Sequence, residues 1–311
     1  MQRRNVIIDT DPGVDDALAL LLALRSDELN VLGITTVAGN LVLEKTSRNA
    51  LIVVGRSGKH APVLRGASGP LCEPLKTAEH AHGCDGLGDV GFGDPAGCVR
   101  PEHAVSFIID TVMSSEQPVD LITLGPLTNV ALALVAERRL EERVRSLVMM
   151  VGALTVGNIT QVAEFNAGVD PEATDIVFRS RVPKTMVALD PIREGALIET
   201  EDVSRLEQAG TPWCQMAAQL LRKGLERWPR AWVSLCDPAA VAVAIDPSIA
   251  EVRKLPVVIE TRGEHTRGMT VVDMRSGRGH SLGIREPNVN VVTRIHGERF
   301  RRLFMDTLLA R

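Results

Sequence analysis

The sequence predicts an α/β protein in which helices cover both faces of a mostly parallel sheet. Short apolar runs rich in Val and Ile alternate with longer stretches whose apolar residues recur at three-to-four spacing. Runs this apolar are typical of buried strands in parallel sheets. The predicted strands lie at residues 6–9, 31–37, 119–125, 146–152 and 185–190, and the helix-like stretches include DDALALLLALRS, LEKTSRNALIVVG and HAVSFIIDTVMSS.

The remainder of the chain continues the mixture of helices and strands. Two helices are predicted at 200–210 and 214–228, and the next stretch, CDPAAVAVAIDP, is apolar on every side and so predicts a buried helix. Strands near 252–260, 268–275 and 288–295 precede a closing amphipathic helix at 298–310. No repeat or low-complexity linker marks a boundary, so we predict a single domain over residues 1–311.

The segment from Leu64 to Val99 has neither the strand pattern nor the helix pattern of apolar residues, and it is rich in Gly, Pro, Cys and His. A loop of this length in a compact domain is usually a binding loop, a lid or an insert. We predict a lid over a binding site.

The charge balance argues against a protein that binds nucleic acid or a membrane surface. The 311 residues are 45% hydrophobic and 24% charged, with a net charge of −4 and basic residues that are scattered rather than clustered. The start has no signal-peptide pattern, no apolar run reaches membrane-spanning length, and the five cysteines form no CxxC pair. We therefore expect a cytoplasmic protein with a small-molecule ligand.

An acidic turn follows the first predicted strand. The stretch NVIIDTDPGVDDALAL places Asp9, Asp11, Asp15 and Asp16 between that strand and a helix. At about 4 Å and an effective dielectric near 20, each like-charged pair repels by roughly 4 kcal/mol, so the carboxylates must share protons or a cation. A helix cap explains any one of them. Four together favour Ca²⁺ or Mg²⁺ over zinc, because the turn contains no His or Cys.

Further polar residues stand where they can join the same site. Asp237 precedes a proline at the start of the predicted buried helix, where it is either an N-cap or a metal ligand. Amides and one carboxylate follow other predicted strands and suit the hydroxyls of a sugar, which need both donors and acceptors. They are Asn40, the turn at 124–129, Asn158, Glu164 and Asn166.

Six motifs, in this order and over nearly the whole chain, resemble the nucleoside hydrolase family: DTDPGVDDALAL, VAGN, HGCDGLG, LGPLTN, VGNITQVAEFNAGVDPEA and CDPAAVA. The resemblance implies a Ca²⁺-dependent N-ribohydrolase that cleaves purine and/or pyrimidine ribonucleosides to ribose and free base, for nucleobase salvage. It also implies an open, Rossmann-like, mostly parallel sheet flanked by helices, and a homodimer or homotetramer.

The resemblance also assigns roles to individual residues. Asp11, Asp16, Asp237 and the main-chain carbonyl of Leu124 would hold Ca²⁺, and Asp11 would also be the general base. Substrate would contact Asp237 too. The positions that would hold or line the ribose are Asp15, Asn40, Met150, Asn158, Glu164 and Asn166. Surrounding carboxylates would stabilise the positive charge of an oxocarbenium-like transition state.

One position departs from the family pattern. Well-studied members carry a histidine before the last Asp, proposed to protonate the leaving purine, whereas this chain has Cys236 and resembles a branch with cysteine there. A thiol is mostly protonated at pH 7 and donates a proton, although it shuttles protons less readily than imidazole. We interpret Cys236 as a residue that lines the site, with a catalytic role as the alternative.

His82 and two tryptophans are predicted near the leaving base. His82 matches a family loop histidine, so it is a candidate for contacting or protonating the leaving group, and a solvated loop histidine is the alternative. Trp228 and Trp232 lie just upstream of Asp237, where an indole would stack on a nucleobase. Helix packing explains Trp228 equally well and explains Trp232 better.

Two other functions stay open at this point. The Asp9-Thr10-Asp11 turn mimics the acid-x-acid turn of haloacid dehalogenase-type phosphatases, although Pro12 and Gly13 follow where that family has a hydroxyl and an apolar residue. A non-catalytic nucleoside-binding protein would keep the sugar pocket and lose turnover at Cys236. The retained Asp11 argues against it, because a pure binder needs no base to activate water.

Overall fold

The computed structural model of the protein describes residues 3–227, 230–275 and 285–310. Its strands are β1 (Arg4–Thr10), β2 (Leu29–Thr36), β3 (Val63–Arg65), β4 (Val119–Thr123), β5 (Val144–Met150), β6 (Lys184–Val187), β7 (Leu197–Glu199), β8 (Trp232–Ser234), β9 (Ala250–Leu255), β10 (Val257–Ile259), β11 (Thr270–Val272) and β12 (Val289–Ile295).

The longer helices, of seven residues or more, are α1 (Val14–Arg25), α2 (Leu43–Ser57), α4 (Ala104–Ser114), α5 (Thr128–Ala136), α8 (Pro171–Arg179), α9 (Leu189–Gly195), α10 (Thr200–Ala209), α11 (Pro212–Arg227), α12 (Cys236–Ile245) and α13 (Gly297–Leu309). The short ones are α3 (Glu79–His82), α6 (Leu140–Arg143), α7 (Phe165–Val169) and a 3₁₀ turn (Pro247–Ile249).

The main sheet has eight strands in the order β3-β2-β1-β4-β5-β6-β12-β9 among the described residues. All neighbours in it are parallel except β9, which runs antiparallel to β12. The predicted α/β class and parallel sheet are therefore confirmed. From β1 the chain builds outward to one side through β2 and β3, then returns to build the other side from β4. Ligands of open α/β sheets bind at such a reversal, beyond the carboxyl ends of the strands.

Each face of the sheet has its own hydrophobic cluster. On β1, Val6 and Ile8 belong to the cluster that contains α1 and α12, whereas Ile7 belongs to the cluster that contains α5 and α8. This alternation follows from the two-residue period of a strand. Helix α1 is apolar around its whole circumference, and residues 16–24 are buried in it. The acidic residues at its N-terminus therefore start a helix that is fixed in the core.

Three details differ from the sequence prediction. The strand predicted at 185–190 ends at Val187, and Leu189 begins α9, with Pro191 in the first turn where its missing N–H costs no hydrogen bond. The strand near 252–260 is divided at Pro256 into β9 and β10, because proline cannot donate to a ladder. The predicted loop from Leu64 to Val99 contains the end of β3 and the short helix α3.

Among the described residues, the helices are too short or too polar to cross a lipid bilayer.

Candidate active site

Two helix N-termini bring distant acids together at the carboxyl edge of the sheet. Asp15 and Asp16 lie in the first turn of α1, and Asp237 lies in the first turn of α12, which packs against α1. Their ligand atoms all lie within 4.8 Å of one another. Unpaired N–H groups and the helix dipole favour negative charge at both ends. The structure thus joins Asp237 to the turn that the sequence singled out.

Asp16 is the best satisfied of these acids. Its Oδ1 accepts from the Thr10 hydroxyl at 2.6 Å and the Asp11 N–H at 3.3 Å, and its Oδ2 accepts from the Gly13 N–H and the Asn40 amide, both at 3.0 Å. Four donors hold the orientation of a buried carboxylate. Asp16 is therefore a carboxyl group of fixed orientation at the base of the site.

Asp11 is held in a narrow gap between two glycines. Its Oδ2 accepts from the Asn40 N–H at 2.6 Å. A Cβ placed on Gly39 would lie 2.1 Å from that Oδ2, and one on Gly125 would lie 2.5 Å from Oδ1. Contacts this short are excluded in packed proteins. Neither glycine was singled out by sequence reasoning, and their motifs, VAGN and LGPLTN, were the available signal.

Several carboxylate oxygens in the cluster lack a donor among the described residues. They include Oδ1 of Asp11 and Oδ1 of Asp15, both buried. Burial, followed by the charge of Asp16, raises the pKa of Asp11 well above its usual range, and burial followed by the charges of Asp15 and Asp16 does the same to the pKa of Asp237. Unpartnered oxygens that repel one another fit a hard divalent cation, which prefers oxygen ligands.

Leu124 lines a cavity beside the acidic cluster. This cavity, of about 560 Å³, is lined by Asp15, Asp237, Leu124, Met150 and other predicted site residues. The Asn166 amide donates to the carbonyl of Leu124 at 2.7 Å and to that of Met150 at 3.0 Å. Because a carbonyl oxygen has two lone pairs, the carbonyl of Leu124 keeps one lone pair that can bind a cation.

Asn40, Asn166 and Glu164 use much of their hydrogen-bonding capacity inside the protein. The amide N–H donors of Asn40 and Asn166 point to protein oxygens, so their Oδ1 atoms are what they offer a ligand. The Glu164 carboxylate caps α7 and accepts from the N–H groups of Gly152, Asn166 and Ala167. These hydrogen bonds lower the pKa of Glu164, but burial has the larger effect and raises it to about 7. Asn158 is exposed at the rim of the cavity.

His82 is joined directly to the acidic turn. Its Nδ1 accepts from the Val14 N–H at 3.1 Å and lies 3.7 Å from Oδ1 of Asp15. A Cβ on Gly13 would lie 2.5 Å from that Nδ1, so only glycine allows the approach. Since a backbone N–H can only donate, Nδ1 carries a lone pair and the ring proton is on Nε2. His82 therefore offers its Nε2–H as a donor at the cavity wall.

A second amide joins the loop around His82 to the turn. The Nδ2 of Asn49, on α2, donates to the Pro12 carbonyl at 3.0 Å and to the Asp85 carbonyl at 2.9 Å. Pro12 belongs to the acidic turn, and Asp85 follows His82 in the loop. Sequence reasoning missed Asn49, because nothing in the helical pattern of α2 distinguishes it.

Cys236 begins α12 and lines the cavity beside Asp237. Burial, followed by the charges of Asp15 and Glu164, raises the pKa of its thiol, so the group stays protonated. Trp232 lies on β8 and lines an adjoining cavity with Cys236. Trp228 lies outside the described residues.

Asp9 and Asn129 support the site from beneath the turn. Oδ1 of Asp9 accepts from the Thr35 hydroxyl at 2.5 Å and from the Asn129 amide at 2.8 Å, and burial raises the pKa of Asp9 to about 7. Asn129 also donates to the Thr36 carbonyl and accepts from the Ala67 N–H. It thereby ties together the ends of three strands. Asp9, one of the four acids in the turn, thus belongs to the sheet rather than to the cavity.

Comparisons with known proteins identify the family of the chain. A family model described as inosine-uridine preferring nucleoside hydrolase matches residues 6–302. The chain is 41% identical over 276 residues to a pyrimidine-specific ribonucleoside hydrolase RihA of Photobacterium profundum, covering 87% of this chain and 89% of that protein. It is 38% identical over 309 residues to an Escherichia coli protein of the same description, covering 97% of each.

Solved structures are similar over the same length. A purine-preferring ribonucleoside hydrolase from Gardnerella vaginalis superposes with a TM-score of 0.90 at 31% identity, covering 98% of each chain. An inosine-guanosine nucleoside hydrolase superposes with a TM-score of 0.91 at 30% identity, covering 98% of this chain and 99% of that one. The fold is thus that of nucleoside hydrolases, and the chain belongs to the inosine-uridine preferring nucleoside hydrolase family.

Proposed function

We propose that this enzyme hydrolyses the N-glycosidic bond of ribonucleosides, with pyrimidine ribonucleosides preferred, in a reaction that depends on Ca²⁺. The observation that carries the proposal is the meeting of Asp15, Asp16 and Asp237 beside unpartnered oxygens of Asp11 and Asp15. The pyrimidine preference is supported by relatives described as pyrimidine-specific, at up to 41% identity, while the similar purine-preferring structure is 31% identical.

Four residues would hold the cation: Asp11, Asp16, Asp237 and the Leu124 carbonyl. When bound, Ca²⁺ supplies positive charge that orients two ribose hydroxyls and offsets the repulsion among the carboxylates. Oxygen donors and the absence of His and Cys from this group support a hard cation. Asp16 keeps its orientation through its four donors, independently of the ion.

Asp11 is the proposed general base. Its Oδ1 has no donor among the described residues, so it is free to accept a proton from the water that attacks C1′. The sugar is held by Asp15, Asn40, Asn158, Glu164 and Asn166, with Met150 against its ring. The Oδ1 atoms of Asn40 and Asn166 accept from hydroxyls, since their N–H groups are already used. Positive charge that develops on the sugar is stabilised by the surrounding carboxylates.

His82 is the proposed donor to the leaving base. The Val14 N–H keeps Nδ1 as an acceptor, which places the one ring proton on Nε2, where it can hydrogen-bond to the leaving base. Complete transfer of that proton would leave an imidazolate, so the proton that ends on the base comes from water. Cys236 stays a protonated thiol and lines the site next to Asp237. This division of roles gives the chain a leaving-group donor although it lacks the histidine of other members before Asp237.

A reducing-sugar assay over a panel of purine and pyrimidine ribonucleosides, with and without a chelator, tests the proposal. We expect release of ribose from uridine and cytidine, loss of release in chelator, and recovery on adding Ca²⁺. Asp11→Ala is expected to abolish turnover while leaving the fold intact. Full activity in excess chelator with no bound metal would contradict the metal role, and near-wild-type kcat in the variant would remove Asp11 as base.

Binding without any release of sugar would favour a nucleoside-binding protein instead, and family membership argues against the phosphatase alternative. We also propose a homodimer or homotetramer in the cytoplasm, as the sequence resemblance and the cysteine usage suggested. Light scattering coupled to size exclusion checks the assembly, and a trimer or monomer would contradict it.

A further inference from the structure

A second cavity opens beside the candidate active site. It has a volume of about 560 Å³ and shares three lining residues, Asn158, Arg193 and Cys236, with the acidic cavity. Arg230 and Trp232 line its other side. The shared residues make the two cavities neighbours, so a group attached to a nucleoside bound in the first lies near the second.

The two cavities differ in charge. Asp15, Glu164 and Asp237 line the first, whereas none of the described residues that line the second is acidic and two of them are arginines. Arg193 donates to the carbonyls of Val156 and Gly157 at 3.0 and 3.2 Å. A guanidinium has five N–H donors, so these two bonds leave donors for a ligand.

Arg230 lies over the indole of Trp232, with 5.0 Å between the guanidinium carbon and the ring centroid. Stacking of this kind holds the planar guanidinium while its edge stays free for hydrogen bonds. Planar forks with free N–H groups are the usual partners of carboxylates and phosphates. The second cavity has two arginines and no acidic residue among the described residues that line it, whereas the first cavity is strongly acidic. The second cavity therefore favours anionic groups.

We propose that this second cavity binds an anionic group carried by the nucleoside substrate, either a carboxylate on the base or a phosphate on the 5′ carbon. The inference rests on the proposed function, which places the ribose against Asn158 and has Cys236 line the site, and both residues border the second cavity. The reaction stays a hydrolysis: the C1′–N bond breaks, the oxygen of water bonds to C1′, and a proton ends on the base.

The test compares substrates that differ only in the anionic group. Initial rates are measured in Ca²⁺ with uridine, orotidine and uridine 5′-monophosphate, for the wild type, for Arg230→Gln and for Arg253→Gln. Arg253 is an exposed arginine on the distant edge strand β9, so its variant controls for the loss of one positive charge. Arg193 is not used, because its guanidinium also holds the loop that carries Asn158.

We expect the wild type to favour orotidine or the monophosphate over uridine by about tenfold in kcat/KM, the lower end for a charged hydrogen bond. Arg230→Gln should lose about tenfold on that substrate and stay within about twofold on uridine. Arg253→Gln should leave all three unchanged. The substrate that is favoured identifies the source of the charge, base or 5′ carbon.

Binding of the products separates this inference from the proposed function. Orotate against uracil, and ribose 5-phosphate against ribose, are compared by calorimetry, which needs no turnover. If uridine is cleaved but neither anion binds better than its neutral counterpart, the anion site is wrong and the hydrolase stands. If no ribonucleoside is cleaved, yet one anion binds more tightly and depends on Arg230, the proposed function is wrong and the site stands.

Discussion

Replacing Gly39 by alanine tests the claim that the position of the Asp11 carboxylate limits the reaction. The new methyl group would lie 2.1 Å from Oδ2 of Asp11 and 2.7 Å from Cδ of Pro126. Because carbon and oxygen rarely approach within about 3 Å, the carboxylate has to move by about 1 Å. The bond from the Asn40 N–H to Oδ2, now 2.6 Å, cannot persist unchanged.

A shift of about 1 Å at a catalytic group costs on the order of a hundredfold in rate, or about 2.7 kcal/mol of transition-state stabilisation. Overpacking should cost a further 1–3 kcal/mol of folding stability, roughly. Steady-state kinetics with uridine in excess Ca²⁺ gives the first quantity, and urea unfolding gives the second.

Gly55→Ala is the matched control. Gly55 lies in α2, and a Cβ there meets no atom within 4 Å. This variant should keep wild-type kinetics and gain about 0.5–1 kcal/mol of stability, because alanine is the better helix former. The reasoning is refuted if Gly39→Ala turns over uridine within about twofold of the wild-type rate.

Three further predictions concern buried charge. Asp237→Asn should raise the melting temperature in chelator, because it removes one of several carboxylates that repel one another. The same variant should show a smaller rise in melting temperature when Ca²⁺ is added. An unchanged response to Ca²⁺ in differential scanning fluorimetry would contradict this prediction. Glu164→Gln should lower the free energy of unfolding in urea by about 1–3 kcal/mol, because an amide group replaces one carboxylate oxygen that accepts from a backbone N–H. Equal stability of the two proteins would show that the Glu164 cap of α7 is not needed. Burial lowers the pKa of Lys184 from 10.5 to about 8, so the unfolded chain binds more protons than the folded chain between these pH values. The free energy of unfolding of the wild type, relative to Lys184→Met, should therefore rise from pH 8 to pH 10.5 by at most about 3 kcal/mol. A difference between the two proteins that does not change with pH would contradict this prediction.

Much of the fold follows from local pattern. The alternation on β1 and the uniformly apolar α1 both reflect periodicities that a few neighbouring residues determine. The acidic turn was recognisable for the same reason, since a strand, a Pro-Gly bend and a helix start occur within sixteen residues. The end of β6 at Val187 was missed because the apolar run continues into the first turn of α9, where period alone cannot separate strand from helix.

The less predictable part of the site depends on strand order. Gly39 and Gly125 contact Asp11 only because β1 lies between β2 and β4, and no local pattern states which strands are neighbours. Arg193 belongs to α9, whose side chains reach the cavity through the packing of several elements. Residues of this kind are found from contacts, because each is an ordinary glycine or arginine in its own segment.

The hydrogen bonds of Asn49 and His82 have a consequence for how ligands enter and leave. If the segment that carries His82 swings outward, the Val14 N–H and the Asp85 carbonyl each lose a partner, at about 1–3 kcal/mol apiece where water cannot replace it. Opening therefore removes a hydrogen bond at the start of α1, the helix that carries Asp15 and Asp16. Hydrolysis would then be slower while this segment is open, because the start of α1 would be held less firmly.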